Sequence, residues 1–117
     1  MTVTMASFAN TPEPPYYAVI FSSLRNEVDR VEYKETSEFM IALAAQQPGF
    51  IGVESARGIA GFGVTVSYWE DEEAIAAWKH DADHTQARQR GRLEWYEHFE
   101  IRVARVERAY AGPRADR

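Results

Sequence analysis

The sequence has no cysteine among its 117 residues, which excludes disulfides, thiolate nucleophiles and cysteine-based zinc or iron-sulfur sites. It has no apolar run near the roughly 20 residues that a membrane-spanning helix needs, and its N-terminus lacks the pattern of a signal peptide. Acidic residues outnumber basic ones by 18 to 13, and no basic run could neutralise a phosphate backbone. We therefore expect a cytoplasmic protein that binds neither membranes nor nucleic acid.

The composition of the whole sequence, 45% hydrophobic and 26% charged, is typical of one compact domain. A loose arm is predicted over residues 1–15, because three of its last four positions are proline. The folded domain is predicted over residues 16–111 and a C-terminal tail over residues 112–117. A domain this small buries a modest fraction of its surface, so a second subunit would help to stabilise it.

Helix-like and strand-like patterns alternate along the folded domain. Four strands and two helices are predicted: strands Tyr16–Leu24, Phe50–Ala56, Phe62–Trp69 and about Trp95–Tyr110, and helices Val31–Gln47 and Asp71–Gly91, the latter with a break near Asp81 and Asp83. Their order predicts an α+β, ferredoxin-like β-α-β-β-α-β fold with an antiparallel sheet. Because helices would cover only one sheet face, a second copy is the simplest cover for the other, which predicts a dimeric α/β barrel.

Two of these strands have an informative alternation. The third places four residues on each face: Phe62, Val64, Val66 and Tyr68 on one, and Gly63, Thr65, Ser67 and Trp69 on the other. The last strand changes its alternation between Val103 and Val106, which predicts a bulge there or a twist where the strand leaves its own sheet.

Three stretches carry a resemblance to a known family: QQPGFIGVES at Gln46–Ser55, VSYWEDEEAIAAWKHDADH at Val66–His84, and WYEHFEIRVARVER at Trp95–Arg108. Over about Tyr16–Tyr110 the sequence resembles the antibiotic-biosynthesis monooxygenase (ABM) family, whose dimeric barrels include heme-degrading monooxygenases. The resemblance implies a homodimer and a small hydrophobic or aromatic substrate, held between helices and sheet. It also implies oxidation by molecular oxygen without flavin or metal.

The resemblance places Trp78 in that pocket and His84 at its mouth. His84 is the predicted catalytic residue, because imidazole titrates near neutral pH and could take a phenolic proton; the alternative is that it caps or hydrogen-bonds a helix break. His80 lies one helical turn before His84, but no third ligand has a convincing spacing, so no metal site is predicted.

Aromatic rings and hydroxyl groups supply the other predicted contacts to substrate. The predicted substrate-binding residues are Trp78, Trp69, Tyr68, Ser22 and Tyr17. For each tryptophan, filling the core is the alternative role.

Two other functions stay open beside a cofactor-independent monooxygenase. The first is a heme-binding or heme-degrading protein with His84 as an axial ligand; in that case Trp78 matches the helical tryptophan of the heme-degrading members, and Ser22 and Ser23 replace their first-strand amide. The second is a non-catalytic dimeric module that binds a small molecule.

Overall fold

The computed structural model describes residues 7–25, 40–88 and 96–113, with side chains described for all of these except 82–88 and 96. Six elements lie within them: β1 (Tyr16–Arg25), α1 (40–45), β2 (Phe50–Arg57), β3 (Phe62–Trp69), α2 (Glu72–Arg88) and β4 (Tyr96–Val106). The predicted β-α-β-β-α-β order is confirmed. Residues 31–39 of the first predicted helix lie outside the described residues.

The four strands form one antiparallel sheet in the order β2-β3-β1-β4, which confirms the ferredoxin-like α+β class. β2 and β3 are consecutive strands and form a hairpin. Gly61 in its turn has a φ of 100°, and a Cβ there would lie 2.9 Å from the Arg25 carbonyl oxygen. Both the left-handed backbone and the close approach of β1 therefore require glycine at this position.

The register of the strands divides their side chains between two faces of the sheet. We call the face that packs against the helices the helix face; its first row across the sheet is Phe50, Trp69, Tyr17 and Arg105. We call the opposite face the outer face; on β3 it carries Phe62, Val64, Val66 and Tyr68. These are the two β3 rows that the alternation predicts.

The hydrophobic core lies between the helix face and the two helices. Val19 and Trp69 from the sheet meet Ala44 of α1 and Ile75 of α2, and all four are buried. Trp69 is fully buried, and its ring centroid lies 5.3 Å from that of Phe50 in an edge-to-face contact. Aromatic contacts of this geometry stabilise a core beyond the area that they bury.

α2 begins as predicted but does not break. The Asp71 side chain caps it by accepting a hydrogen bond from the Ala74 backbone N–H at 2.8 Å. The helix then continues to Arg88, so the predicted break near Asp81 and Asp83 is wrong. An Asp inside a helix costs at most about 0.7 kcal/mol relative to Ala, whereas packing of Ile75 against the core holds the helix in place.

β4 also differs from its prediction. It ends at Val106 rather than at Tyr110, because Val106 pairs with Tyr16, the first residue of β1, and the prolines before Tyr16 have no N–H to extend the ladder. No register shift occurs between Val103 and Val106; the shift lies between Leu24 and Arg25. The change in the β4 sequence pattern reflects apolar residues on both faces of the strand.

The segment of the arm that the structure describes, residues 7–15, contains no helix or strand but contacts the outer face. The Ala9 backbone N–H donates a hydrogen bond to Glu54 Oε2 at 2.8 Å. A Cβ at Gly52 would lie 2.9 Å from the Ala9 Cβ, so Gly52 makes room for the arm.

Candidate functional site

The β3 row beneath the helices consists of small and polar residues. Gly63, Thr65 and Ser67 precede Trp69 on the helix face, whereas the bulkier apolar row of β3 lies on the outer face. A sheet face that packs only against helices ordinarily carries bulky apolar side chains. The short polar side chains of this row therefore favour a site that receives a ligand between sheet and helices.

Each of the two hydroxyl groups in this row is hydrogen-bonded to a neighbouring side chain. Ser55 Oγ and Thr65 Oγ1 lie 2.7 Å apart across the β2–β3 pair, and either could be the donor. The indole N–H of the buried Trp69 donates to Ser67 Oγ at 2.9 Å. A hydroxyl oxygen both donates and accepts, so this row can still bind polar atoms of a ligand.

The guanidinium group of Arg57 lies on the helix face at the end of the sheet opposite the core. Arg57 Nη2 donates to Ser23 Oγ at 2.7 Å, and Arg57 Nη1 donates to the carbonyl oxygens of Gly61 and Ser23. A Cβ at Gly63 would lie 2.8 Å from Arg57 Cζ, so the glycine makes room for the guanidinium. These bonds join the end of β1 to the β2–β3 turn.

The β1 and β4 side of the helix face is apolar. The rings of Phe21 and Phe99 have their centroids 5.5 Å apart, and Ile101 and Val103 follow on β4 with about half of their surface exposed, 54% and 52%. Outside the core, we call Ser55, Arg57, Thr65 and Ser67 on β2 and β3 the polar half of the helix face, and Phe21, Phe99, Ile101 and Val103 on β1 and β4 its apolar half.

Trp78 of α2 contributes a buried hydrogen-bond donor that none of the described residues accepts from. Its ring packs at 5.6 Å from that of Trp69, between centroids. Its indole Nε1 is buried, and no acceptor within the described part of the chain lies in hydrogen-bond reach. Buried N–H groups are nearly always bonded, so this one indicates a place where a ligand oxygen would be stabilised.

The predicted site residues fall into three groups. Tyr17, Trp69 and Trp78 come together at the core end of the helix face. Ser22 and Tyr68 lie on the outer face instead. The His84 backbone lies in α2, six residues after Trp78, and its side chain is outside the described residues. The contacts of these residues to substrate stay predictions.

Tyr68 has a role of its own on the outer face. Its hydroxyl donates to Glu54 Oε1 at 2.8 Å, and the ring of Tyr16 meets it edge-on at 5.8 Å. Burial, and then the neighbouring Glu54 carboxylate, raise the pKa of Tyr68 well above its usual range. The hydroxyl therefore stays protonated and, together with Ala9, occupies both oxygens of Glu54.

Among the side chains that the structure describes, none offers heme an axial ligand beside Trp78, and the side chain of His84, the predicted ligand, lies outside them. Ser23 is the first-strand hydroxyl on the helix face, and it is already bonded to Arg57. His80 and His98 are both exposed, so neither is buried beside Trp78 as an axial ligand. Among the described side chains, those of residues 7–25, 40–81 and 97–113, no group of three His, Asp or Glu could hold a metal ion.

Sequence reasoning missed the contact between Ser23 and Arg57 and the pairing of Ser55 with Thr65. The predicted second strand ends at Ala56, one residue short of Arg57, although β2 extends to Arg57. Counting alternate β2 residues back from Arg57 would have placed its side chain, with that of Ser55, on the same face as Gly63 and Thr65.

Comparison with known proteins decides the family. A family model described as antibiotic biosynthesis monooxygenase matches residues 16–90. Uncharacterized protein YqjZ of Bacillus subtilis (strain 168) is 54% identical over 104 residues, which cover 89% of this chain and 90% of the relative. The chain belongs to the antibiotic biosynthesis monooxygenase family. The resemblance stated from the sequence is confirmed.

Solved structures agree with the ABM assignment at the level of the fold. SnoaB, a cofactor-independent oxygenase from Streptomyces nogalater, superposes with a TM-score of 0.62 at 15% identity, covering 87% of this chain and 98% of that one. Rv0793 from Mycobacterium tuberculosis has a TM-score of 0.62 at 13% identity, with coverages of 84% and 99%.

Among the helical residues that the structure describes, none form a helix long and apolar enough to cross a membrane.

Proposed function

We propose that this ABM protein is a cofactor-independent monooxygenase, which oxidises a small aromatic or polyketide-like compound with molecular oxygen. The substrate would bind between the helices and the helix face of the sheet. The observation that carries this proposal is the buried Trp78 Nε1–H, which has no acceptor within the described residues. Such a donor favours a ligand that brings an oxygen atom to it.

The two halves of the helix face support the same class of ligand. Phe21 and Phe99 offer ring surface on the apolar half, where a flat aromatic compound would gain contact area. Ser55 and Thr65 offer hydroxyls on the polar half. A compound with an aromatic frame and phenolic or carbonyl oxygens along one edge would satisfy both halves, which a plain hydrocarbon would not.

In the proposed chemistry, His84 acts as the base. It takes a proton from the phenol or from an activated CH2 group, because a neutral imidazole accepts protons near neutral pH. The resulting electron-rich anion passes one electron to O2, and the two radicals combine to form a C–O bond. The protonated His84 returns its proton to the peroxide formed in this way, and loss of water from the hydroperoxide converts the CH2 group into C=O, so that CH2 and O2 become C=O and H2O. The substrate itself supplies the electrons.

Oxygen uptake tests this proposal. We expect uptake with dithranol, a phenolic anthrone, and none with anthracene, which has a similar ring frame without an acidic proton. His84→Ala should lose most of this uptake, whereas His80→Ala, a change one helical turn away at an exposed position, should keep it. Binding of dithranol without uptake would indicate the non-catalytic module instead. Equal activity of both variants would contradict the role of His84.

We further propose that the protein works in the cytoplasm.

We also propose that two copies associate through their outer faces. The apolar β3 row of Phe62, Val64, Val66 and Tyr68 supports the association, because it faces away from the helices and Phe62 has 56% of its surface exposed. Sedimentation velocity should give a dimer at micromolar concentration, and a single-subunit species throughout would contradict it.

A further inference from the structure

We propose that the N-terminal arm is part of the subunit interface and that Phe8 is its anchor, packed against the outer face of a second copy of this chain. This inference rests on the proposed homodimer. It concerns a segment, residues 7–10, that precedes the first strand and lies outside the residues matched by the family model.

The arm is held in a defined place. The Ala9 N–H donates to Glu54 Oε2 at 2.8 Å, and the Ala9 side chain lies over Gly52, where any Cβ would come within 2.9 Å of it. Tyr68 holds the other oxygen of the same carboxylate at 2.8 Å. With both of its oxygens bonded within the subunit, Glu54 can lie in an apolar interface at reduced cost.

Phe8 stands next to this docked residue and is 94% exposed. Beside it is an open groove of about 380 Å³ on the outer face, whose lining includes Phe8, Ala56, Val64 and Val66. An exposed large aromatic side chain, attached next to a docked residue and beside an apolar groove, has the character of an interface anchor. Burial of its ring against a second copy would remove a large apolar surface from water, which favours association.

The charges of the outer face favour a second copy as the partner. On β4 this face carries His98, Glu100 and Arg102, and Glu100 Oε1 lies 2.5 Å from Arg102 Nη2. A two-fold axis brings the same patch of both copies together in opposite directions. A row that holds both signs of charge can then place the acid of one copy near a base of the other.

The test compares two exposed apolar residues, Phe8 and Ile59. Ile59 lies in the β2–β3 turn and is fully exposed, so Ile59→Ala removes an exposed apolar side chain that does not belong to the arm. Sedimentation velocity over a dilution series should give a dimer dissociation constant at least about tenfold higher for Phe8→Ala, since anchor residues carry most of an interface's affinity. Ile59→Ala should match the wild type. Because Phe8 is exposed, Phe8→Ala should leave the thermal midpoint of the monomer unchanged.

A second variant displaces the whole arm. Gly52→Ala introduces a Cβ that meets Ala9, so it should speed hydrogen exchange at the Ala9 amide and weaken the dimer as Phe8→Ala does. A dimeric wild type with equal constants for Phe8→Ala and Ile59→Ala would overturn the role of the arm and leave the proposed homodimer standing. A wild type that is monomeric throughout, or that instead binds lipid vesicles through Phe8, would overturn the inference. Oxygen uptake is read separately, so a failed monooxygenase proposal is distinguishable from all of these outcomes.

Discussion

The two faces of the sheet differ most clearly along β3. Its outer face carries Phe62, Val64, Val66 and Tyr68, while its helix face carries Gly63, Thr65 and Ser67 before Trp69. In a half-buried sheet the apolar row ordinarily packs beneath the helices and the polar row meets water. This reversed arrangement on β3 is what the two proposals account for, in which the helix face would receive a polar aromatic ligand and the outer face would meet a second subunit.

The largest expected effect is at the core end of the helix face. Trp69→Ala removes a fully buried ring that contacts Phe50 and Trp78, and it should lower the free energy of unfolding by about 3–5 kcal/mol. Phe62→Ala on the outer face, where the side chain is 56% exposed, should cost under about 1 kcal/mol in the dilute monomer. Urea unfolding measures both. Similar losses would remove the distinction between the faces.

A methyl group added in place of a glycine hydrogen should also lower stability by different amounts on the two faces. A Cβ at Gly63 would lie 2.9 Å from the Ala56 carbonyl oxygen and 2.8 Å from Arg57 Cζ, so Gly63→Ala should cost about 1–3 kcal/mol of stability. At Gly52 the close contact is with Ala9 of the arm, which can move away. Gly52→Ala should therefore cost less in the same urea titration; a larger loss than for Gly63→Ala would mean that the arm belongs to the core.

The fold was predictable from the sequence because its signals are local. Alternation defined β3 from Phe62 to Trp69, and Asp71 marked the start of α2 as its N-cap. The break in α2 was wrong because propensity at Asp81 was weighed without the tertiary packing of the helix. The Ser23–Arg57 contact joins residues 34 positions apart, and such pairs depend on strand register, which one sequence does not specify. For the same reason, the sequence did not indicate which of the two β3 faces packs against the helices.

A matched pair of tryptophan variants sharpens the comparison within the site. Trp69→Phe removes an N–H that is bonded to Ser67 Oγ, so it should cost about 1 kcal/mol from the lost hydrogen bond, in addition to the smaller ring. Trp78→Phe removes an N–H without an acceptor in the described residues, and so should lose less stability. Trp78→Phe should instead weaken binding of dithranol, roughly fivefold to tenfold, as one lost hydrogen bond would. Fluorescence titration measures that affinity, and unchanged binding would contradict a ligand contact at Nε1.

The smallest expected effect is the alkaline response of the outer face. Burial and the Glu54 carboxylate raise the pKa of Tyr68 above its ordinary value of 10.0, so above that pH the unfolded chain loses a proton that the folded chain keeps. The stability that this difference contributes is fully present below about pH 10 and is lost as the pH rises toward the folded pKa. Tyr68→Phe should therefore lose stability less steeply than the wild type between about pH 9 and pH 11, as followed by urea midpoints. Parallel slopes would mean that the Tyr68 hydroxyl is neither buried nor hydrogen-bonded to Glu54 in solution. The Glu54 carboxylate would then be exposed to water on the outer face.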